Sequence, residues 1–140
     1  MMRLEHINLF VPDIQSVLAF YQAAFPHWSM RGEGNGDWYG KPRYWCHFGD
    51  DYNYITFNSP SIGENRDLTT TSTGLAHFAF EVSNLNEVIG RLETAGYEIA
   101  KDGADSPYRN NVYFLDPAGF EVEFVEYLTD VPALRNSYAE

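Results

Sequence analysis

The sequence predicts an α+β chain made of two copies of one module, each a strand, an amphipathic helix and three further strands. Three observations predict it. A short apolar strand with a histidine at a fixed place occurs twice, and each copy is followed by a helix-start signal and a helix-periodic stretch. His6 and His77 lie 71 residues apart, as do the closing valines Val11 and Val82. The rest of each half is short strand-like runs punctuated by Gly, Pro and Asp.

In the first half, residues 4–11 alternate: Leu4, His6, Asn8 and Phe10 share one face, and Ile7, Leu9 and Val11 the other. Pro12-Asp13 stops this strand and offers an N-cap. Ile14, Val17, Leu18, Tyr21 and Phe25 then recur at helical spacing over 14–25. Three strands are expected next, at 27–31, 43–48 and 52–57. A Gly-rich turn at Gly32-Glu33-Gly34-Asn35-Gly36 ends the first of them, and Gly49-Asp50-Asp51 separates the other two. The polar stretch 58–73 reads as a connecting loop.

The pattern restarts with a strand at 75–82. Ser83 or Asn84 caps a helix over 85–95, with Leu85, Val88, Ile89 and Leu92 on one face and Gly96 as the terminating C′ residue. Strands follow at 97–101, 109–115 and 120–127, with Asp116-Pro117-Ala118-Gly119 as the last tight turn. The expected organisation is a first module over 1–58, a linker at 59–73, a second module over 74–128 and a tail at 129–140. A half of this size buries little core alone, which favours two modules acting together.

Composition narrows the function. With 44% apolar and 16% aromatic residues the chain has ample material for a core, which argues against disorder. The formal charge of −11, with nine Lys and Arg scattered along the chain, sets nucleic acid aside as a partner. The single cysteine, Cys46, makes neither an intramolecular disulfide nor a zinc cluster and reads as a small buried strand residue. No basic-then-apolar leader and no apolar run of the roughly 20 residues needed to span a bilayer is visible. The expectation is a soluble, cytoplasmic protein with a small-molecule substrate and no membrane or nucleic-acid partner.

The chemistry-bearing residues sit on the repeat. His6 and His77 occupy equivalent places on faces opposite their strands' strongest apolar rows. Glu123 lies in the run Phe120-Glu121-Val122-Glu123-Phe124-Val125, which otherwise asks to be buried. A carboxylate there is costly unless something positive meets it. Two imidazoles and one carboxylate around a divalent ion answer that need: the set suits Fe(II), with Mn(II), Ni(II) and Zn(II) as alternatives.

These residues carry a resemblance. Leu4-Glu5-His6-Ile7, Gly74-Leu75-Ala76-His77-Phe78-Ala79-Phe80 and the run from Phe114 to Glu123 are similar to the vicinal oxygen chelate superfamily. That group includes glyoxalase I, extradiol dioxygenases, fosfomycin-modifying thiol transferases and bleomycin-resistance proteins. The likeness spans residues 3–128. It implies two βαβββ modules forming a U-shaped mixed sheet around a central cavity, metal ligands at His6, His77 and Glu123, one divalent ion and a homodimer. It also implies a metal-dependent enzyme with dioxygenase-like or lyase-like chemistry. A fosfomycin-type thiol transferase and a non-catalytic ligand-binding protein of the bleomycin-resistance kind are the alternatives.

One departure is informative. Glyoxalase I carries a fourth ligand, a carboxylate on the last strand of its first module. Aligning Ile55-Thr56-Phe57 with Val122-Glu123-Phe124 puts Thr56 there, and a two-step shift offers Tyr54; neither is a carboxylate. The expected site is therefore three-ligand and open-sided. Tyr113, expected on the strand paired with that of Glu123, matches the tyrosine that contacts metal-bound substrate in the fosfomycin enzymes and extradiol dioxygenases. His47 is a candidate for proton transfer because imidazole titrates near neutrality. Trp38, Tyr39, Tyr44 and Trp45 flank the Gly-rich segment and suit an apolar substrate pocket, a lid or a dimer contact. His27 reads as structural. In the loop from Asp105 to Asn111, only Arg109 is placed to meet a phosphonate directly.

Overall fold

The structure is a computed structural model that describes residues 1–135, 137 and 138; the expected tail at 129–140 falls partly outside them. The chain forms two compact units, Met1–Glu64 and Asn65–Glu140. The first holds β1 (His6–Phe10), α1 (Ile14–Ala24), β2 (Ser29–Trp38), β3 (Lys41–Gly49) and β4 (Tyr54–Ser59). The second holds β5 (Phe78–Glu81), α2 (Leu85–Thr94), β6 (Lys101–Asp102), β7 (Arg109–Leu115), β8 (Glu121–Tyr127) and the short α3 (Pro132–Arg135). Each unit has the expected order of strand, helix and three strands.

The sheets share one topology, β1-β4-β3-β2 in the first unit and β5-β8-β7-β6 in the second. The first and last strands of each unit pair in parallel, and the remaining pairs are antiparallel. The registers also repeat. Ile7 faces Ile55 as Phe78 faces Val122, so Asn8 faces Thr56 as Ala79 faces Glu123. Thr56 thus occupies the first-sheet position that Glu123 occupies in the second. On the far side, His47 faces Thr56 as Tyr113 faces Glu123.

Local chemistry accounts for the helices. Asp13 accepts from the Gln15 amide at 3.3 Å and Asn84 from the Glu87 amide at 3.3 Å, each capping the helix that follows. Helix α2 ends in a Schellman motif: Tyr97 N donates to Leu92 O and Gly96 N to Glu93 O, both at 3.0 Å, with Gly96 at φ 96°. Ile14, Val17, Phe20 and Tyr21 of α1 are buried, and the Tyr21 ring lies 5.5 Å from that of Phe57 on β4. Leu85, Val88 and Leu92 are the buried row of α2, and Val122 and Phe124 the buried row of β8. Cys46 is fully buried, as expected of a small strand residue. No helix among the described residues is long and apolar enough to cross a membrane.

The structure corrects the segment around the glycines. Gly32 to Gly36 is not a turn but the middle of β2, paired to β3 residue by residue after one irregularity between Met30 and Gly32. Gly32, Gly34 and Gly36 alternate onto one face, and the Trp45 indole lies across them. A Cβ built on Gly34 would stand 3.2 Å from that ring. The glycines leave room for an aromatic rather than bending the chain. The real turn is Tyr39-Gly40, with φ values of 49° and 85°. Positive φ at both central residues is what a type I′ hairpin requires.

Three strands are shorter than expected. The 4–11 run forms a strand only over His6–Phe10. The 75–82 run pairs only from Phe78; before it, the Leu75 carbonyl accepts from the Arg66 guanidinium (3.4 Å), which also bonds Ser72 and Thr70. The 97–101 strand reduces to Lys101–Asp102 at the sheet edge. Substituting Gly34 by Val should lower the urea-unfolding free energy by about 1–3 kcal/mol through displacement of Trp45. Ala at Gly36, where the nearest ring atom is 4.0 Å from a built Cβ, should leave it within about 0.5 kcal/mol.

Candidate functional site

In the second unit the polar face is built by strand alternation. Glu121 and Glu123 of β8, Asn111 and Tyr113 of β7 and Lys101 of β6 share the side opposite Val122, Phe124 and Phe114. His77, just before β5, joins them. Its Nε2 lies 3.1 Å from Glu123 Oε2, with the side chains 37% and 15% exposed. The other oxygen, Oε1, accepts a hydrogen bond from Asn111 Nδ2 at 2.9 Å. The carboxylate expected to need a partner therefore has two, and one oxygen stays turned toward the imidazole.

Surrounding groups fix this pair. Glu121 Oε1 sits 3.9 Å from His77 Nδ1 and 3.0 Å from Lys101 Nζ. Lys101 also lies 4.4 Å over the Tyr113 ring, which meets the His77 ring edge-on at 5.3 Å. The bond to Glu121 raises the Lys101 pKa above its ordinary value. Burial, then the nearby Glu123 charge, raises that of Tyr113, so its hydroxyl stays protonated near neutral pH. Gly103 N donates to Asn111 O at 3.0 Å, and a Cβ on Gly103 would come within 2.3 Å of that oxygen. Only glycine lets the 103 loop close against Asn111.

In the first unit the equivalent face carries His6, Tyr54 and His47. The His6 ring stacks on Tyr54 at 4.6 Å, His47 stacks on Tyr54 at 4.7 Å, and Arg31 lies 4.4 Å over the Tyr54 ring. His6 Nδ1 is bonded to Glu5 Oε1 at 2.9 Å, which leaves its Nε2 for another partner. Burial, then the Arg31 and His6 charges, pushes the His47 pKa down, so its imidazole is neutral at physiological pH.

Each expected ligand can be placed. His77 and Glu123 come together, and Tyr113 stands directly opposite Glu123 in the ladder. His6 and His47 share the polar face of the first sheet. His27 is largely exposed and lies 3.4 Å from Asp50. Among the described residues no three His, Cys, Asp or Glu side chains converge into a metal-holding group. The His77–Glu123 pair nonetheless fits one. Imidazole nitrogen and carboxylate oxygen are the donors such ions take, and His6 Nδ1 is bonded to the Glu5 carboxylate, the arrangement that holds a ligating Nε2 in place; Glu121 stands 3.9 Å from His77 Nδ1, beyond hydrogen-bond reach.

The sequence alone missed Glu121 and Lys101, and it passed over Asn111 as part of a loop. The period-two rule was the signal for two of them: Glu121 is two residues from Glu123, and Asn111 two from Tyr113.

Comparison with known proteins places the chain. The sequence model of the Glyoxalase/Bleomycin resistance protein/Dioxygenase superfamily matches residues 3–124. The chain belongs to that superfamily. Among solved structures it is similar to a glyoxalase family protein from Bacillus cereus, with 16% identity, coverage of 92% of this chain and 96% of that one, and a TM-score of 0.74. A glyoxylase/bleomycin resistance protein/dioxygenase domain from Frankia sp. matches with 19% identity, 98% and 99% coverage and a TM-score of 0.73. The fosfomycin resistance protein FosX from Listeria monocytogenes, in complex with Mn(II) and sulfate, matches with 20% identity, 98% and 99% coverage and a TM-score of 0.65. At these identities the likeness carries the superfamily fold alone. No curated protein matches the chain.

The lowered His47 pKa has a consequence for stability. The folded protein resists a proton that the unfolded chain takes up near the ordinary value of 6.5. Its contribution is therefore complete above that value and is lost as pH falls below it. Between about pH 7.5 and about pH 5.5 the denaturation midpoint should fall for the wild type, and fall less for His47→Gln.

Proposed function

We propose that this protein is a divalent-metal-dependent enzyme of the superfamily, acting on a small oxygen-chelating substrate with dioxygenase-like or lyase-like chemistry. The observation that carries the proposal is the His77 Nε2–Glu123 Oε2 approach at 3.1 Å, with the second carboxylate oxygen tied to Asn111. His77 and Glu123 hold the ion together with His6, whose Nε2 is left available by the bond from Nδ1 to Glu5. His6 comes from the same chain or from a second copy in a homodimer. FosX holding Mn(II) on the same fold supports a first-row divalent ion, with Fe(II), Ni(II) and Zn(II) as the other members of the class.

When bound, the ion supplies Lewis acidity and a template for two substrate oxygens. The protein's own residues do the rest. Asn111 fixes the Glu123 carboxylate. Lys101 holds Glu121 beside His77. Tyr113 keeps its proton and offers a hydroxyl hydrogen bond to a substrate oxygen. His47 is neutral and serves as the proton acceptor. Thr56, at the place answering Glu123, leaves the ligand set at three, unlike the four-ligand glyoxalase I arrangement.

Purified protein should carry about one divalent ion per chain by elemental analysis. Glu123→Ala should lose it, and Asn111→Ala should weaken metal affinity by about tenfold or more while leaving the fold intact by circular dichroism. Full occupancy in Glu123→Ala, or no binding of Fe, Mn, Ni or Zn by the wild type, overturns the proposal. Oxygen uptake with a catechol, set against conjugation of a thiol to an epoxide, then divides the chemistries.

A further inference from the structure

A second polar cluster lies on the first unit's sheet, at the end away from His6. Its centre is Asn58, fully buried although polar. Asn58 Nδ2 donates to Leu9 O at 3.0 Å and to Asn8 Oδ1 at 2.5 Å. Those two acceptors fix the amide, so its Oδ1 points at Arg43 and accepts from Nη1. The Arg43 guanidinium also lies 5.1 Å over the Trp38 ring, which Phe10 meets edge-on at 5.1 Å. The cation is thus held between an amide and an indole.

What the cluster lacks is a negative charge. The chain carries 20 Asp and Glu against nine Lys and Arg. Among the described residues, ion pairs form at Arg91, Lys101 and Arg135, and none forms at Arg43. Its Nε is buried without a hydrogen-bond partner. Asn58 takes Nη1 and Nε is enclosed, so Nη2 is the donor left for an anionic oxygen. A half-buried guanidinium in an acidic protein, oriented but unneutralised, is an incomplete site.

We infer that Arg43, oriented by Asn58, binds an anionic oxygen group, carboxylate or phosphoryl, at one end of an elongated small-molecule ligand, with Trp38 and Phe10 packing against its apolar body. Spacing defines the ligand. Asn58 is four residues along β4 from Tyr54, the ladder partner of His6, which corresponds to about 13 Å. A molecule that reaches both ends must be longer than a three-carbon compound. The anion site stands on first-unit residues alone. It rests on the proposed function only for what lies at the other end.

The test is titration of chelator-treated and metal-loaded full-length protein with benzoate and with phenyl phosphate, read by calorimetry and tryptophan fluorescence. The two probes distinguish carboxylate from phosphoryl preference. Saturable binding of at least one, without need of metal, is expected. Arg43→Gln should weaken it by about tenfold or more, and Arg43→Lys, which keeps the charge but loses the planar group held by Asn58 and Trp38, by about three- to tenfold. Glu123→Ala should leave it unchanged, so loss of metal and loss of anion binding register as separate failures. The inference is overturned if neither probe binds the wild type, or if folded Arg43→Gln binds as tightly. Should Arg43→Gln fail to fold, unchanged affinity in Arg43→Lys overturns it equally.

Discussion

The polar face of the second unit depends on one constraint, a carboxylate set into a strand whose neighbours are core. Val122 and Phe124 are fully buried, and Glu123 between them is only 15% exposed. Burying a carboxylate costs several kcal/mol unless its oxygens are bonded. The imidazole of His77 meets one oxygen, and the Asn111 amide meets the other. Asn111 is in turn held by the close approach of Gly103, and Glu121 is drawn beside His77 by Lys101. The polar face is thus a connected set of groups drawn from β6, β7, β8 and the residue before β5.

The first unit meets the same topology with different chemistry. Thr56 takes the position of Glu123, so no buried charge needs an answer there. Rings fill the face instead, with His6, Tyr54 and His47 in one stack under Arg31. The glycines of β2 let Trp45 lie flat on the strand, and the buried polar group moves along β4 to Asn58. The repeat is conserved in backbone register and broken in side-chain role. That break leaves Thr56 among stacked rings in the first unit and Glu123 beside His77 in the second.

Much of this was legible in the sequence because it is local. The helix caps at Asp13 and Asn84, the Gly96 terminator, the bounds of β7 and the polar-face alternation of β8 all follow from residues within a few positions of one another. The register of the two repeats could be read by aligning the halves, and the ladders confirm that Thr56 answers Glu123. The clearest failure was where a distant group intervened. The glycines at 32, 34 and 36 carry the usual turn signal, and only Trp45, brought across from β3, gives them a place in a strand. Leu75 has strand chemistry, yet pairing begins only at Phe78, and the Leu75 carbonyl accepts from Arg66.

By itself the sequence determined the two-module α+β plan, the equivalent places of His6 and His77 in the repeat and the answering of Glu123 by Thr56, because period, caps and repeats are properties of the chain as written. Only the tertiary structure decided which nitrogen of His77 meets Glu123, which amide holds the other oxygen, and that Arg43 is oriented without a carboxylate to neutralise it. Those are questions of which groups from separate strands reach one another. The answers rest on ladder register and side-chain contact, which no single stretch of sequence contains.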